Sequence, residues 1–231
     1  MALLGKGVLA IWNGVTAGSE TEFITWHVRE HIPERVGIPG FLRGRRYVAQ
    51  AGHPKYFNFY ETESAATLVS PAYRARLNAP TPWTQAVIKE FRDTSRTICE
   101  VVASVGRGEG AWIETLRIGR VPEPEAFLRA VAGTAVGAIA ERDGIAGVHL
   151  LKGADAPGNA PTVESKLRGQ PDERCDWILL VEAAELDLLQ AAGSADIVRR
   201  QAAGAAIDRG VYRLQYGLTH AELDAAGTRG P

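Results

Sequence analysis

The sequence predicts an α+β fold made of two tandem β-α-β-β-α-β units. Three observations predict it: landmarks that recur at a fixed spacing, apolar residues that switch between strand and helix periods, and helix start and stop signals that come in the same order in both halves. Phe23 and Phe127 lie 104 residues apart, as do Gly40 and Gly144. The run 56–61 matches 177–182 at an offset of 121, so the second copy carries a 17-residue insertion. That insertion falls in the Gly, Pro and polar stretch 153–176, and the two units divide at 1–106 and 107–231.

Each element has a local reason. Gly5-Lys6-Gly7 opens an apolar run over 8–12, the first strand. Ser19 and Glu22 stand three apart as a capping box that would satisfy the orphan amides of a helix start. The helix runs to about Val36, where Pro39-Gly40 stops it. Residues 41–49 and 56–61 read as strands. Ser70-Pro71 and Thr81-Pro82 pair an N-cap hydroxyl with a proline at the first helical position, so two helical pieces follow. The β-branched and small residues of 97–104 close the unit. In the second copy Gly108-Glu109-Gly110 opens a strand over 111–118, a helix spans 124–141, and Val148, Ile178 and Val211 fall in the later strands. A split β-α-β unit of this kind is ferredoxin-like. Two in tandem can pack sheet on sheet and bury faces that one alone would expose.

Composition bounds the function. With 231 residues, 45% hydrophobic and 23% charged, the chain can bury a substantial core. Twenty-six basic residues against 27 acidic ones leave a net charge of -1, so no basic field points to nucleic acid or to an anionic membrane. The longest helical stretch without charge, 130–140, is too short to span a bilayer, and residues 1–7 show no leader pattern, so a cytoplasmic protein is expected. Cys99 and Cys175 form no framework and read as free thiols. There is no P-loop, no dinucleotide glycine fingerprint and no nucleophile elbow.

His31-Ile32-Pro33-Glu34-Arg35, then Ile38-Pro39-Gly40-Phe41, then Arg45-Arg46-Tyr47 resemble the helix-to-strand signature of the dimeric α/β-barrel superfamily, with its EthD-like, antibiotic-biosynthesis-monooxygenase and muconolactone-isomerase groups. The motif covers about residues 23–61, while the topology covers nearly the whole chain. The resemblance implies that this chain builds within itself the barrel that single-unit relatives build by pairing. It also implies a range of chemistries: cofactor-free oxygenases, isomerases, cyclases and haem proteins.

Aligning the two copies shows where the chemistry concentrates. Trp26 faces Ala130, His27 faces Val131, His31 faces Ala135, Arg35 faces Ile139 and Tyr47 faces Leu151. Asn58 faces Leu179 and Tyr60 faces Val181. Twelve of the 17 aromatic residues fall in the first copy, which places the expected site there and leaves the second copy as scaffold. The alternative is that the second copy merely repacked after duplication. Phe23, Ile24, His27, Val28 and His31 share one helix face, so two histidines point to the apolar side. Imidazole moves protons near neutral pH, which makes His31 the preferred base and His27 the second. Either could instead be a core histidine.

Tyr56, Asn58 and Tyr60 share one strand face, and Phe41, Arg43, Arg45 and Tyr47 share another. An amide and phenols suit a developing enolate or phenolate, so Asn58, Tyr60 and Tyr47 join the catalytic candidates. Trp26, Arg35, Arg45 and Trp83 are the substrate-binding candidates. Arg45 or Arg46 would take a carboxylate in bidentate fashion, and the rigid segment 80–84 would hold Trp83 over a pocket mouth. The competing reading of the arginines, and the favoured one, is solvated surface, and that of the tyrosines is amphipathic core. His27 and His31 at i,i+4 could supply two metal ligands, with His53 or Glu61 as a third, but the order is not that of zinc proteases. A single histidine could also be a haem axial ligand. No cofactor is the main expectation. The stretch 153–176 is either a lid or a linker, with the linker favoured.

The reading is a cofactor-independent small-molecule enzyme of isomerase, cyclase, lyase or monooxygenase type. It would act by proton transfer on an aromatic or carbonyl-bearing substrate, as a monomer or weak homodimer. The alternatives are a non-catalytic small-ligand or haem-binding protein and an interaction protein without a site.

Overall fold

The computed structural model describes residues 3–154, 162–169 and 173–227. Eight antiparallel strands close into a barrel: β1 (Gly7–Val15), β2 (Phe41–Ala51), β3 (Tyr56–Thr62), β4 (Phe91–Gly106), β5 (Trp112–Ile118), β6 (Ile145–Gly153), β7 (Trp177–Ala183) and β8 (Ile207–Thr219). Around the barrel they run β1-β3-β2-β8-β5-β7-β6-β4. Each half of the chain thus contributes a contiguous sheet in the order 4-1-3-2, and the ladders β2–β8 and β4–β6 join the halves. Closure leaves no free sheet edge. Among the described residues no helix is long and apolar enough to cross a membrane.

The repeat extends to backbone detail. The helix of the first unit, α1, spans 20–36, and its counterpart α2 spans 124–140. Both contain a single π-helical turn, His27–His31 in α1 and Val131–Ala135 in α2, offset by the same 104 residues as the sequence landmarks. Gly40 and Gly144 end these helices at φ +86° and +69°, in the left-handed region that glycine enters without a Cβ penalty. A Cβ on Gly144 would also meet Leu188 Cδ1 at 2.3 Å.

The N-caps Ser70 and Thr81 accept hydrogen bonds from the amides of Tyr73 and Thr84, starting α3 (Pro71–Asn78) and α4 (Pro82–Ile88). Ser19 precedes α1 but makes no side-chain cap, and Glu22 instead accepts a hydrogen bond from Trp83 Nε1 at 2.5 Å. The predicted capping box is therefore absent. Strand β4 starts six residues earlier than its β-branched stretch implies.

Apolar side chains fill the barrel interior, among them Val8, Trp12, Phe57, Phe59, Ile178, Leu180 and Tyr212. Outside the barrel the two units differ. Over the second sheet a single cluster runs from Phe127 and Val131 to Leu179 and Val198. Over the first sheet there are two clusters. One is centred on Ile32, Phe41, Tyr60 and Tyr73, the other on Phe23, Trp26, Tyr56 and Val87.

Candidate functional site

A cavity of about 160 Å³ lies between the two outer clusters of the first unit. It is bounded by the outer face of the barrel on one side and by α1, α3 and α4 on the other. Leu9 and Ile11 of β1, Tyr60 of β3 and Ile98 of β4 form its floor. Trp26, His31 and Arg35 enter from α1, and Tyr73 enters from α3. Cavities of this size hold one aromatic ring in an otherwise packed interior.

The π turn presents both histidines inward. The His27 and His31 rings stack 5.3 Å apart with planes 1° from parallel, and Trp26 lies 4.1 Å from His31. Trp26 is held by a relay in which its Nε1 donates to Thr84 Oγ1 (3.1 Å) and Thr84 Oγ1 donates to Glu30 (2.9 Å). A wall residue fixed this way leaves little rotamer freedom around the cavity. Both histidines are buried, and both carry an Nδ1 with no hydrogen-bond partner. Burial holds the pKa of each well below the usual imidazole value. The nearby guanidiniums of Arg46 and Arg35 lower His27 further, and Arg35, Arg168 and Arg76 lower His31. Both are neutral at pH 7. The Tyr60 hydroxyl is also buried and unpartnered, and burial pushes its pKa up, so it stays a donor.

Of the nine candidate residues, His31, Tyr60, Trp26 and Arg35 meet at this cavity. The others lie elsewhere. His27 stacks beneath His31 but does not line the space. Asn58 is buried on the same sheet face and donates to Asn13 Oδ1 at 2.7 Å, away from the cavity wall. Trp83 bonds Glu22 rather than covering a pocket mouth. Tyr47 and Arg45 point into the barrel, on the opposite side of the sheet. A register irregularity between Phe41 and Arg43 is the reason: it puts Phe41 with the outer cluster and turns Arg43, Arg45 and Tyr47 inward, so the four do not share a face.

Inside the barrel Arg45 bridges Glu61 (3.1 Å) and Glu182 (2.9 Å), residues at matching positions of the two units. Glu182 also faces His149 Nε2 at 3.4 Å, and although burial alone would raise its pKa, the Arg45 guanidinium and the contact with His149 hold it down at about 2. Arg45 is therefore committed to joining the units. Arg46, the other carboxylate candidate, bonds Gln215 and the Ile24 carbonyl.

Sequence reasoning missed several lining residues, among them Tyr73 and Glu164. Glu164 lies on α5 (Val163–Leu167), inside the insertion of the second unit, and forms a buried ion pair with Arg35. Thr162 and Ser165 cap α5 reciprocally, and the Val163 amide donates to Asn78 of α3. Further along, Glu173 bridges Ser95 of β4, and the Cys175 amide donates to Thr97. The described parts of the insertion, 162–169 and 173–176, therefore border the first unit's cavity. The sequence reading placed neither this short helix nor its destination. Residues 155–161 and 170–172 of the predicted lid or linker lie outside the described residues.

Among the described residues no group of three or more His, Cys, Asp or Glu is placed to hold a metal. The imagined third ligands are elsewhere: His53 is exposed beside Asp93, and Glu61 is inside the barrel.

No family model matches the chain. Seventy-seven residues are 36% identical to an anthranilate phosphoribosyltransferase of Frankia alni, covering 33% of this chain and spanning only 20% of that protein. Solved structures define the class of fold. The fold, an eight-stranded barrel made of two ferredoxin-like units in one chain, is shared with solved structures at low sequence identity. The chain is similar to an anthrone oxidase-like protein (TM-score 0.63, 13% identity, 94% of each chain). It is also similar to a monooxygenase candidate from Fusobacterium nucleatum (TM-score 0.60, 11% identity, 94% of this chain and 96% of that one). A third is a chlorite dismutase candidate (TM-score 0.53, 9% identity, 98% and 100%).

Proposed function

We propose that the protein is an enzyme that removes a proton from a small aromatic or carbonyl-bearing molecule, with no cofactor contributed by the chain. One observation carries this reading: a neutral, buried imidazole and an unpartnered phenol line the same ring-sized cavity. An unpartnered buried polar group is costly, and two around one cavity are better explained by a ligand than by the fold.

His31 would take the proton as the C–H bond breaks. Its low basicity is suited to a site where the conjugate acid forms next to a new anion, because that anion stabilises imidazolium as desolvation cannot. The Tyr60 hydroxyl would donate to the enolate or phenolate oxygen as charge arrives there. Trp26 and Tyr73 would flank the ring. Stabilising such a carbanion suits isomerisation, elimination or cyclisation. It equally suits oxygenation, in which the electron-rich carbon reacts with dioxygen, the kind of chemistry named for the anthrone oxidase-like and monooxygenase neighbours.

The test is a panel of one- and two-ring phenols and aromatic ketones. Turnover would be followed by absorbance, by oxygen uptake and by exchange of the acidic proton for deuterium. Exchange abolished in His31→Ala supports the reading. Exchange at the same rate in that variant, or in none of the panel with the wild type, rejects it.

A further inference from the structure

We propose that Tyr73 is a further catalytic residue: beyond flanking the ring, its hydroxyl joins that of Tyr60 in holding the substrate oxygen that gains negative charge. The proposal rests on the reading that the first unit's cavity is the substrate site.

Both phenols line the cavity, Tyr60 from β3 of the barrel and Tyr73 from the first turn of α3 on the other side. The Ser70 cap accepts from the Tyr73 amide at 3.3 Å, which fixes where that side chain leaves the helix. Both side chains are buried, and both pack on Phe41, with ring centres 6.2 Å (Tyr60) and 5.2 Å (Tyr73) from it. Tyr73 is near enough to Tyr60 that negative charge on the one opposes charge on the other. A hydroxyl has one proton to give and lone pairs to receive another. The Tyr73 oxygen receives from Arg96 at 3.2 Å, and nothing among the described residues accepts its own proton. The Tyr60 hydroxyl has no partner among them. Two buried O–H donors are therefore left over at one ring-sized space, where buried polar groups are normally paired.

Packing does not call for the first of these donors, since Val181 stands at the matching position of the second unit. The second is prepared by its neighbour. A guanidinium donating to the Tyr73 oxygen polarises the O–H bond and makes it a stronger donor than an isolated phenol. An enolate or phenolate oxygen has lone pairs for both hydroxyls, and donors fixed before the charge arrives need no reorganisation when it does. Neither phenol loses its proton. Burial pushes Tyr60 up, and the proton taken from the substrate carbon goes to His31. The substrate class narrows to a ketone or phenol whose oxygen is conjugated to the carbon that gives up its proton, because only then does the charge made at carbon arrive at the oxygen between the two hydroxyls.

The test titrates the full chain by calorimetry with 4-nitrophenol, at a pH that ionises it, and with neutral 4-nitrotoluene, which has the same outline and no oxyanion. Phenolate affinity is expected to fall about ten- to a hundredfold in Tyr73→Phe, the range of a hydrogen bond to a charged group, while 4-nitrotoluene binds as it does to the wild type. Tyr60→Phe should behave alike, and the double variant should lose more than either. Leu77→Trp, folded by circular dichroism and filling the cavity, should bind neither compound. Phenolate affinity unchanged in Tyr73→Phe but weakened in Tyr60→Phe overturns the role of Tyr73 and leaves the cavity reading standing. An equal loss for both compounds in Tyr73→Phe makes it a packing residue and overturns the proposal as well. Binding of neither compound to the wild type, or binding that survives Leu77→Trp, overturns the cavity reading itself.

Discussion

In the second unit the space between sheet and helix is closed by one apolar cluster, in which Val131, Ile139 and Leu179 stand where the first unit has His27, Arg35 and Asn58. In the first unit the same space separates two clusters, with a cavity between them. The backbones agree down to the π turn of each long helix. The polar residues of the first unit are therefore not needed to make that turn, since Val131 and Ala135 make it too. The fold pays once for an irregular helix and uses it twice, and only one copy places titratable groups on it. π turns of this kind are frequent at functional sites.

The sharpest way to break that comparison is at His31. His31→Ala gives the first unit the residue of the second, and turnover is expected to fall about 10²- to 10⁴-fold. Chemical unfolding should show a much smaller change, since the imidazole has no hydrogen-bond partner at Nδ1 to lose. Equal losses of activity and of folded protein would make His31 a packing residue.

Next in size is the bridge between units. Arg35→Leu imitates Ile139 but leaves Glu164 buried without its cation, which costs about 3–5 kcal/mol. Arg35→Leu/Glu164→Leu should recover most of that, because an apolar pair is tolerated where a lone charge is not. A double variant no more stable than Arg35→Leu would show that the ion pair does not hold α5 down. Urea midpoints of the three proteins decide it.

The reciprocal experiment is in the scaffold. Leu179→Ala removes a fully buried side chain from the second unit's cluster and should cost about 2–5 kcal/mol with turnover unchanged. Asn58→Leu, the matching change in the first unit, leaves Asn13 Oδ1 without its donor and should cost about 1–3 kcal/mol. If Leu179→Ala lowers kcat in the folded protein, the second unit is more than a scaffold.

Much of this was legible in the chain. The repeat, the β-α-β-β-α-β order of elements along each unit and the placement of His31 on an inward helix face follow from spacing, because periods of 3.6 and 2 translate directly into faces. Two kinds of fact did not follow. One residue of register irregularity after Phe41 turns Arg45 and Tyr47 into the barrel, and alternation read on paper has no way to register such a slip. The other is the path of the insertion. Glu164 is 129 residues from the Arg35 it pairs with, and no local pattern records a contact of that range.

The last comparison separates the units by pH. His27 and His31 sit well below 6.5 in the folded protein and return to about 6.5 on unfolding, so the unfolded chain binds more protons as pH falls past that value. Their contribution to stability is present in full above 6.5 and is lost on acidification below it, by up to about 1.4 kcal/mol per pH unit for each histidine. Glu182, held at about 2, behaves as a paired carboxylate: its contribution is lost only as pH falls from the ordinary carboxylate range near 4.5 towards 2. Unfolding free energy should therefore begin to drop near pH 6.5, owing to the first unit's helix, and drop again below 4.5, owing to the barrel centre. His27→Gln should halve the first slope and leave the second alone. A wild-type protein whose stability is flat between pH 6.5 and 5 would mean that these imidazoles titrate freely, and the buried, neutral base would no longer be available to the chemistry assigned to it.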